Sequence, residues 1–295
     1  MGEATAYLAA EGFVDDLLAE LSPARVETYG RLVVAEGPAR PAAWAANTWY
    51  EPRRLAIASI GDAARQLRTM QRNWALYAFE NHRRAALIEE KLPSVKAAPL
   101  VFGSPAPAAP LGSFTLLDAS TILAAPRCSS PFRHGEARFV EDRTGPPNRA
   151  YLKLWEALTL IGTMPGPGDT CLDLGAAPGG WTHVLARLGA TVTAVDKAPL
   201  DPAVASLPNV HVRQASAFSL DPAKEPPVDW LFCDVICYPS RLLQLVRRWI
   251  DAGKARRFVC TVKFQGPTDT AAMRDFGSIE GGRLLHLFHN KHELT

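Results

Sequence analysis

The pattern of apolar and polar residues changes at about residue 148 and divides the chain into two regions. In the second region, short apolar runs alternate with stretches of helical period. The amphipathic stretches predict helices at 151–161, at about Trp181–Leu188 and at Arg241–Ile250. The apolar runs predict strands at Thr170–Leu174, Thr191–Val195, Val210–Arg213, Trp230–Cys233 and Phe258–Lys263. Such alternation is typical of a parallel sheet with helices on both faces, so we expect an α/β domain here.

The first region mixes strand and helix periods without regular alternation. The predicted helices are 13–21, Ile60–Tyr77 and Phe79–Leu92, and the predicted strands are 31–35, Phe114–Leu117 and Thr121–Leu123. The segments 48–50 and 54–58 are expected to flank a turn at Pro52. Five prolines lie between residues 93 and 110, a density that excludes regular helix or sheet. We therefore predict a smaller α+β domain at 1–92, a proline-rich linker at 93–125 and the α/β domain at 126–295.

Composition places the chain among folded proteins of reducing compartments. Hydrophobic residues make up 47% and charged residues 21% of the chain, as in ordinary globular domains. No apolar run is long enough for a membrane helix, and residues 1–11 lack the pattern of a secretory signal. Five cysteines without a C-x-x-C pair argue against disulfides and zinc. We expect a cytoplasmic protein with no membrane partner and no metal; the sequence leaves its oligomeric state open.

The net charge of +2 is small, but the basic residues are clustered. Residues 53–91 contain eight basic and four acidic side chains, and residues 241–257 contain six basic and one acidic. Arginines are also spread through residues 127–149. Such patches suit an RNA backbone, although solvated helix faces have the same composition.

A glycine-rich segment carries the strongest chemical signal. It reads Leu172-Asp173-Leu174-Gly175-Ala176-Ala177-Pro178-Gly179-Gly180-Trp181 and joins the first predicted strand of the α/β domain to a helix. Small residues there let the backbone approach a ligand closely. Asp196 lies 21 residues after Gly175, about where an acid commonly binds a ribose diol.

The glycine spacing distinguishes between nucleotide cofactors. It does not fit the dinucleotide fingerprint G-x-G-x-x-G, and the Walker lysine is missing. A nucleoside-containing cofactor without phosphate, S-adenosylmethionine, fits better than a dinucleotide, so a dehydrogenase is the weakest alternative. A glycine-rich turn without any ligand is the remaining structural alternative.

Asp173 to Trp181 resembles the first motif of the FtsJ-type 2′-O-ribose methyltransferases. Four further segments resemble that family in the same order: Asn148–Leu154, Asp229–Asp234, Thr261–Lys263 and His289–Thr295. Leu287-Phe288-His289 and Ser130-Pro131-Phe132 make the resemblance closest to the bacterial RlmM-type enzymes, which methylate a cytidine ribose in large-subunit ribosomal RNA. The resemblance covers about residues 126–295, and the first region is only distantly similar to the RNA-binding part of those enzymes.

This resemblance implies a fold, a cofactor and a set of site residues. The fold is a Rossmann-like class I methyltransferase domain with a mostly parallel seven-stranded sheet whose last strand is short. The cofactor is S-adenosyl-L-methionine and the partner is RNA, with ribosomal RNA foremost. The implied catalytic tetrad is Lys153, Asp234, Lys263 and Glu293. The implied cofactor-binding residues are Gly175, Ala177, Pro178, Gly179, Gly180, Trp181, Asp196, Ser216 and Asp234.

The chemistry of ribose methylation agrees with a tetrad of this kind. A ribose hydroxyl is a poor nucleophile at neutral pH and needs a base or a strong positive field. Lys263 is the expected base, while Asp234 and Glu293 orient the lysine amines. Each residue also has an ordinary interpretation. Lys153 suits a solvated helix face on which it pairs with Glu156, Asp234 suits a turn, and Glu293 lies near the end of the sequence.

Some positions depart from the family pattern. Ser216 stands where the family has an acid that contacts adenine, Ala150 stands where close relatives have a serine, and the sequence stops at Thr295. The segment between Lys263 and Arg283 is also short. These departures keep open a degenerate methyltransferase that only binds RNA or a ribosome-assembly partner. Other substrates in the family, the mRNA cap and tRNA, also remain open.

The first region offers candidate contacts to RNA. Aromatic side chains that stack on splayed bases are expected among Trp44, Trp49, Trp74 and Phe132, with core packing as the alternative. Phe132 is the best of these candidates because it lies between Arg127 and Arg133.

Overall fold

Apolar runs broken by turns fold the first part of the chain into two sheets. The structure, a computed structural model, describes residues 3–95 and 98–295. The chain forms two units, Met1–Val101 with Pro105–Arg138 and Phe102–Ser104 with Phe139–Thr295. The strands of the first unit form one five-stranded and one four-stranded sheet.

The elements of the first unit are as follows. The strands are β1 Ala4–Ala9, β2 Val26–Tyr29, β3 Leu32–Glu36, β4 Ala45–Tyr50, β5 Arg53–Ala56, β6 Trp74–Leu76, β7 Gly112–Leu116, β8 Thr121–Ala125 and β9 Arg127–Cys128. The helices are α1 Val14–Leu21, α2 Ile60–Met70 and α3 His82–Glu89. The predicted strands at 31–35, 114–117 and 121–123 correspond to β3, β7 and β8, and the segments 48–50 and 54–58 on either side of Pro52 overlap β4 and β5. One sheet has the antiparallel order β2-β3-β1-β4-β9, and the other has the order β5-β8-β7-β6 with only β6 and β7 parallel.

Two predictions for this unit are wrong. The helix predicted to reach Tyr77 ends at Met70, because Gln71 is extended and the Trp74 indole N–H donates to the carbonyls of Leu67 and Gln71. The indole thus occupies the end of α2, and the apolar residues that follow form β6 instead. The linker predicted at 93–125 includes β7 and β8, which are buried central strands of the second sheet.

The second unit has the predicted α/β architecture. The strands are β10 Thr170–Leu174, β11 Thr191–Asp196, β12 Val210–Gln214, β13 Val228–Cys233, β14 Ala255–Cys260, β15 Val262–Lys263 and β16 Glu293–Leu294. The helices are α4 Tyr151–Ile161, α5 Gly180–Arg187, α6 Pro202–Ala205, α7 Pro239–Asp251 and α8 Thr270–Gly277. The α/β fold class is confirmed by a parallel sheet of order β12-β11-β10-β13-β14. Instead of one seven-stranded sheet, β15 and β16 form a separate antiparallel pair.

The strand order reverses between β10 and β13, which are neighbours in the sheet. Right-handed crossovers therefore place α5 and α6 on one face and α7 on the other. The carboxyl ends of β10 and β13 flank the crevice where open α/β sheets bind their ligands. Among the described residues, no helix is long and apolar enough to cross a bilayer, and no group of three or more His, Cys, Asp or Glu side chains could share a metal ion.

Candidate active site

Four charged side chains meet at the carboxyl edge of the sheet in the second unit. Lys153 comes from α4, and Asp234 directly follows β13. Lys263 ends β15 and pairs in register with Glu293, which begins β16. The antiparallel pair therefore carries one lysine and one carboxylate to the place where β13 delivers Asp234.

Short contacts connect the four groups. Lys153 Nζ lies 3.0 Å from Asp234 Oδ1 and 2.9 Å from Glu293 Oε1. Lys263 Nζ lies 2.9 Å from Asp234 Oδ1 and 3.9 Å from Glu293 Oε2. Lys263 Nζ also donates to the Asp234 backbone carbonyl at 2.9 Å. Asp234 thus lies between the two amines, and Lys153 alone is within 3 Å of both carboxylates.

Burial and charge act in opposite directions on these groups. Burial alone would lower the pKa of Lys153, but the Asp234 and Glu293 carboxylates outweigh it and raise that pKa above its usual value. For Asp234, burial favours the neutral acid, yet the Lys153 and Lys263 ammonium groups keep its pKa below the usual value. Lys153 therefore keeps its proton and Asp234 keeps its negative charge.

Thr261, a site residue that the sequence predictions did not include, orients Asp234. It is fully buried between β14 and β15, and its hydroxyl donates to Asp234 Oδ1. Its backbone N–H donates to the Cys233 carbonyl at 2.9 Å. The signal in the sequence is a polar residue inside an apolar strand, two positions before Lys263, where a hydroxyl needs a buried partner.

Glu156 was expected on a solvated face of α4 beside Lys153, and this expectation is wrong. Both side chains are buried. The Glu156 carboxyl oxygens accept the backbone N–H groups of Phe288 at 2.8 Å and His289 at 3.2 Å. Burial outweighs these bonds and raises the pKa of Glu156 to about 8. Glu156 thus fastens to α4 the segment that leads into β16 and Glu293.

The glycine-rich segment turns sharply from β10 into α5. Gly175 and Gly179 have φ values of +78° and +117°, a region that other residues rarely adopt. A Cβ on Gly180 would lie 2.1 Å from Asn148 Oδ1, so this glycine lets the segment before α4 pack against the turn. Below the turn, Asp173 is buried and accepts a 2.6 Å hydrogen bond from the Thr182 hydroxyl. Burial raises the pKa of Asp173 to about 7.

Gly175→Ala is expected to lower the free energy of unfolding by roughly 2 kcal/mol. The left-handed backbone conformation alone costs ~1–2 kcal/mol for an L residue, and the new Cβ would lie 2.6 Å from the Val235 side chain. Urea unfolding measures the effect. The matched control is Gly277→Ala in α8, where no atom lies within 4 Å of the added Cβ; equal losses in the two variants would contradict the assigned strain.

The remaining predicted cofactor residues line the carboxyl ends of β10, β11 and β12. Asp196 accepts backbone N–H groups from Ala177 at 3.0 Å and Ala198 at 2.9 Å. Pro178 accepts the Asp201 N–H at 2.8 Å through its backbone carbonyl. Ser216 follows β12 and accepts the Phe218 N–H within its own turn. Asp196 is therefore fixed against the glycine turn, next to Ser216 on the neighbouring strand.

Trp181 has a packing role in the structure. Its ring is buried, and its indole N–H donates to the Ala150 carbonyl at 2.9 Å. It meets Phe232 edge to face. Trp181 therefore holds the start of α4, and with it Lys153, against α5.

The donor set fits S-adenosylmethionine better than a phosphate-bearing cofactor. Residues 173–181 contain no lysine or arginine, and Asp196 adds a carboxylate where a phosphate would need a cation. A carboxylate on β11 and a hydroxyl on β12 suit the ribose diol and the adenine of a nucleoside. Asp196, Ser216 and the turn at 175–181 would hold the cofactor.

The aromatic side chains that were predicted to stack on RNA bases are not exposed to solvent. Trp44, Trp49 and Trp74 are buried in the first unit, and Phe132 is almost as well covered, so core packing replaces the stacking prediction. Arg133 donates to Glu89 at 2.8 Å. These side chains stabilise the first unit instead of forming an exposed aromatic patch.

Comparison with known proteins points to one family. Residues 146–261 match the family model of the FtsJ-like methyltransferases. That match includes Lys153 and Asp234 and ends before Lys263 and Glu293. A protein named ribosomal RNA large subunit methyltransferase M from Halorhodospira halophila is 38% identical over 159 residues, which cover 50% of this chain and 46% of that protein. A protein of the same name from Methylococcus capsulatus is 40% identical over 47% of this chain and 40% of its own length.

The similarity extends over part of each relative. The chain spans about half the length of the curated relatives that it matches. A solved structure from Streptococcus thermophilus, provisionally named a hemolysin, aligns with 56% of this chain and 72% of its own chain, at 18% identity and a TM-score of 0.41.

Proposed function

We propose, on the premise that residues 146–261 are an FtsJ-like methyltransferase domain, that this chain methylates a ribose 2′-hydroxyl of RNA, and that its substrate is large-subunit ribosomal RNA. The methyl donor is S-adenosylmethionine. One observation carries the proposal: two lysines and two carboxylates converge at the carboxyl edge of the sheet, beside a glycine turn suited to a nucleoside cofactor. The ribosomal substrate is supported by the names of the relatives.

The four side chains divide the work of activating the hydroxyl. The bound cofactor supplies an electrophilic methyl group on its sulfonium. Lys153 is held as a cation by two carboxylates and stabilises the negative charge that develops on the ribose oxygen. Lys263 acts as a free amine: its ammonium group first releases a proton to solvent, and Nζ then takes the hydroxyl proton, while Asp234 orients both amines. Glu293 fixes Lys153 from the other side.

The function is tested with tritiated S-adenosylmethionine and total RNA from a strain that lacks the gene. Label in alkali-resistant dinucleotides is expected, because a 2′-O-methyl group blocks alkaline cleavage. Calorimetric titration with the cofactor accompanies the assay. Loss of both labelling and cofactor binding would favour the degenerate binding module. Label confined to mRNA caps or tRNA would keep the chemistry and replace the ribosomal substrate.

Asp196→Ala is expected to raise the Kd for S-adenosylmethionine about ten- to a hundredfold, since a hydrogen bond to a charged group is worth ~1.5–3 kcal/mol. Calorimetric titration measures the change. Asp201→Ala is the matched control, because Asp201 caps α6 with one backbone bond to Ala203 and has no proposed ligand contact. A Kd for Asp196→Ala equal to that of the control would remove Asp196 from the cofactor site.

A further inference from the structure

Two large hydrophobic side chains project into solvent beside the tetrad. Ile236 is 76% exposed and Tyr238 is 66% exposed, the highest values for large hydrophobic residues in the described part of the chain. They lie two and four residues after Asp234. Proteins rarely leave such side chains exposed together unless a ligand or partner covers them.

The segment that carries these side chains is firmly anchored. Cys237, which lies between the two residues, is buried. Pro239, which follows Tyr238, is buried at the first turn of α7. Val235 packs under the glycine turn, where a Cβ on Gly175 would lie 2.6 Å from it. Every second residue therefore faces inward, and Ile236 and Tyr238 are held outward by their neighbours.

Their direction follows from the same alternation. The segment has no helix or turn, and Tyr238 has extended backbone angles. In extended chain, residues two apart point to the same side. This alternation leads us to expect Ile236 and Tyr238 on the side of the segment to which Asp234 belongs. A ribose placed at the tetrad would have its base within reach of this side.

The helix that follows has the charge of an RNA-binding surface. α7 has no acidic residue before its last position, Asp251. Its exposed positions include Arg241, Arg247 and Arg248, which form a basic stripe that starts one turn after Tyr238. Arg241 also stacks over the Phe218 ring at 3.9 Å, which fixes the position of its guanidinium. The partner that best suits an aromatic side chain flanked by arginines is a nucleic acid, which has bases that stack and phosphates that carry negative charge. An apolar protein surface has neither.

We infer that Ile236 and Tyr238 form a platform on which the base of the target nucleotide stacks, while the α7 arginines contact the flanking phosphates. This inference rests on the proposed function and adds a specific contact to it. Stacking on the phenol ring would hold the ribose with its 2′-hydroxyl at the tetrad. Because stacking is made by every base, the platform positions the nucleotide without reading its identity.

The test compares three variants in the tritium assay with total RNA from the strain that lacks the gene. Tyr238→Ala is expected to lower kcat/KM for this RNA about five- to a hundredfold, since base–aromatic stacking is worth ~1–3 kcal/mol. Tyr238→Phe keeps the ring and should retain nearly full activity. Ile250→Ala is the matched control, because it removes a partly exposed side chain at the far end of the same helix.

The outcomes separate this inference from the proposed function. Wild-type protein that transfers no methyl group contradicts the proposed function. Active wild type with equally active Tyr238→Ala overturns the platform alone. A loss in Tyr238→Ala accompanied by a changed elution volume in gel filtration also overturns it, because the patch would then be a contact between copies of the chain. A loss with unchanged Kd for S-adenosylmethionine and rescue by phenylalanine supports it.

Discussion

Lys263→Ala should lower kcat for methyl transfer by a hundredfold or more, while the Kd for S-adenosylmethionine stays unchanged. The amine is expected to take the proton of the ribose hydroxyl, and general base catalysis contributes ~10²–10⁴-fold. Lys153 cannot replace it, because both carboxylates lie within 3.0 Å of Lys153 Nζ and raise its pKa, whereas Glu293 lies 3.9 Å from Lys263 Nζ. Initial rates at saturating RNA and a calorimetric titration with the cofactor measure the two quantities separately.

Lys224→Ala is the matched control for Lys263→Ala. Lys224 is highly exposed and pairs with Asp221 at 3.4 Å. It lies before the amino end of β13, whereas Asp234 follows the carboxyl end of that strand. The control should keep the wild-type rate. Near-normal transfer by Lys263→Ala would remove the base role from this residue. Loss of cofactor affinity in the same variant would instead assign the lysine to cofactor binding.

The strands of the second unit could be predicted closely from the sequence. The prediction Thr170–Leu174 coincides with β10, and the prediction for β11 ends one residue early. These strands are central in a parallel sheet and buried on both faces, so each one is a short apolar run bounded by turn residues. The four tetrad residues were predicted through the family resemblance. Asp234 and Lys263 also come at the ends of strands that the apolar pattern predicts, but Glu293 lies on β16, which no apolar run predicts.

The first unit was less predictable because its sheets depend on distant pairing. β1 is rich in alanine and lacks alternation, yet it is buried between β3 and β4. Alanine has low strand propensity, so only the two neighbouring strands make β1 a strand. The second sheet pairs each residue of β6 with a residue of β7 that lies 38 positions later in the sequence. No local pattern shows that the apolar run after α2 will form a strand with this partner instead of extending the helix.

The environment of α4 shows a similar limit in the second unit. Nine of its eleven residues are buried, including Lys153 and Glu156. Its sequence is amphipathic, which predicts one solvated face. That face is covered by the segment at 287–294, about 130 residues later in the chain. A local periodicity therefore identifies the helix but not the partners of its polar side chains.

Glu156 provides the second large expected effect, a dependence of stability on pH. The pKa of the Glu156 side chain is about 8 in the folded protein, whereas a glutamate exposed to solvent, as in the unfolded chain, has a pKa of 4.5. Between these values the folded state holds a proton that the unfolded state has released. This group therefore lowers the free energy of unfolding as pH rises from about 4.5 to 8, by a few kcal/mol in total. Above pH 8 its contribution no longer changes.

Glu156→Gln should remove this slope. At pH 5.5 the variant is expected to be less stable than wild type by ~1 kcal/mol, because its amide group can accept only one of the two N–H groups at Phe288 and His289. At pH 8.5 the order should reverse, since wild type then has a buried carboxylate and has lost about 3 kcal/mol of stability relative to pH 5.5. Urea unfolding at the two pH values measures this change, and Glu280→Gln on the surface is the control. Parallel stability profiles for wild type and Glu156→Gln would contradict the raised pKa.

Glu156→Ala tests whether this carboxyl group also positions Glu293. The substitution leaves two N–H groups without their acceptor, and the segment before β16 should separate from α4. If Glu156 positions the tetrad, kcat falls tenfold or more in Glu156→Ala and largely recovers in Glu156→Gln at pH 5.5, while the Kd for S-adenosylmethionine remains the same in both. A residue that only stabilises the fold would instead lower stability without changing kcat of the folded fraction. Because Glu293 contacts Lys153 and not the cofactor residues, a change in kcat at constant Kd is the specific result that a positioning role predicts.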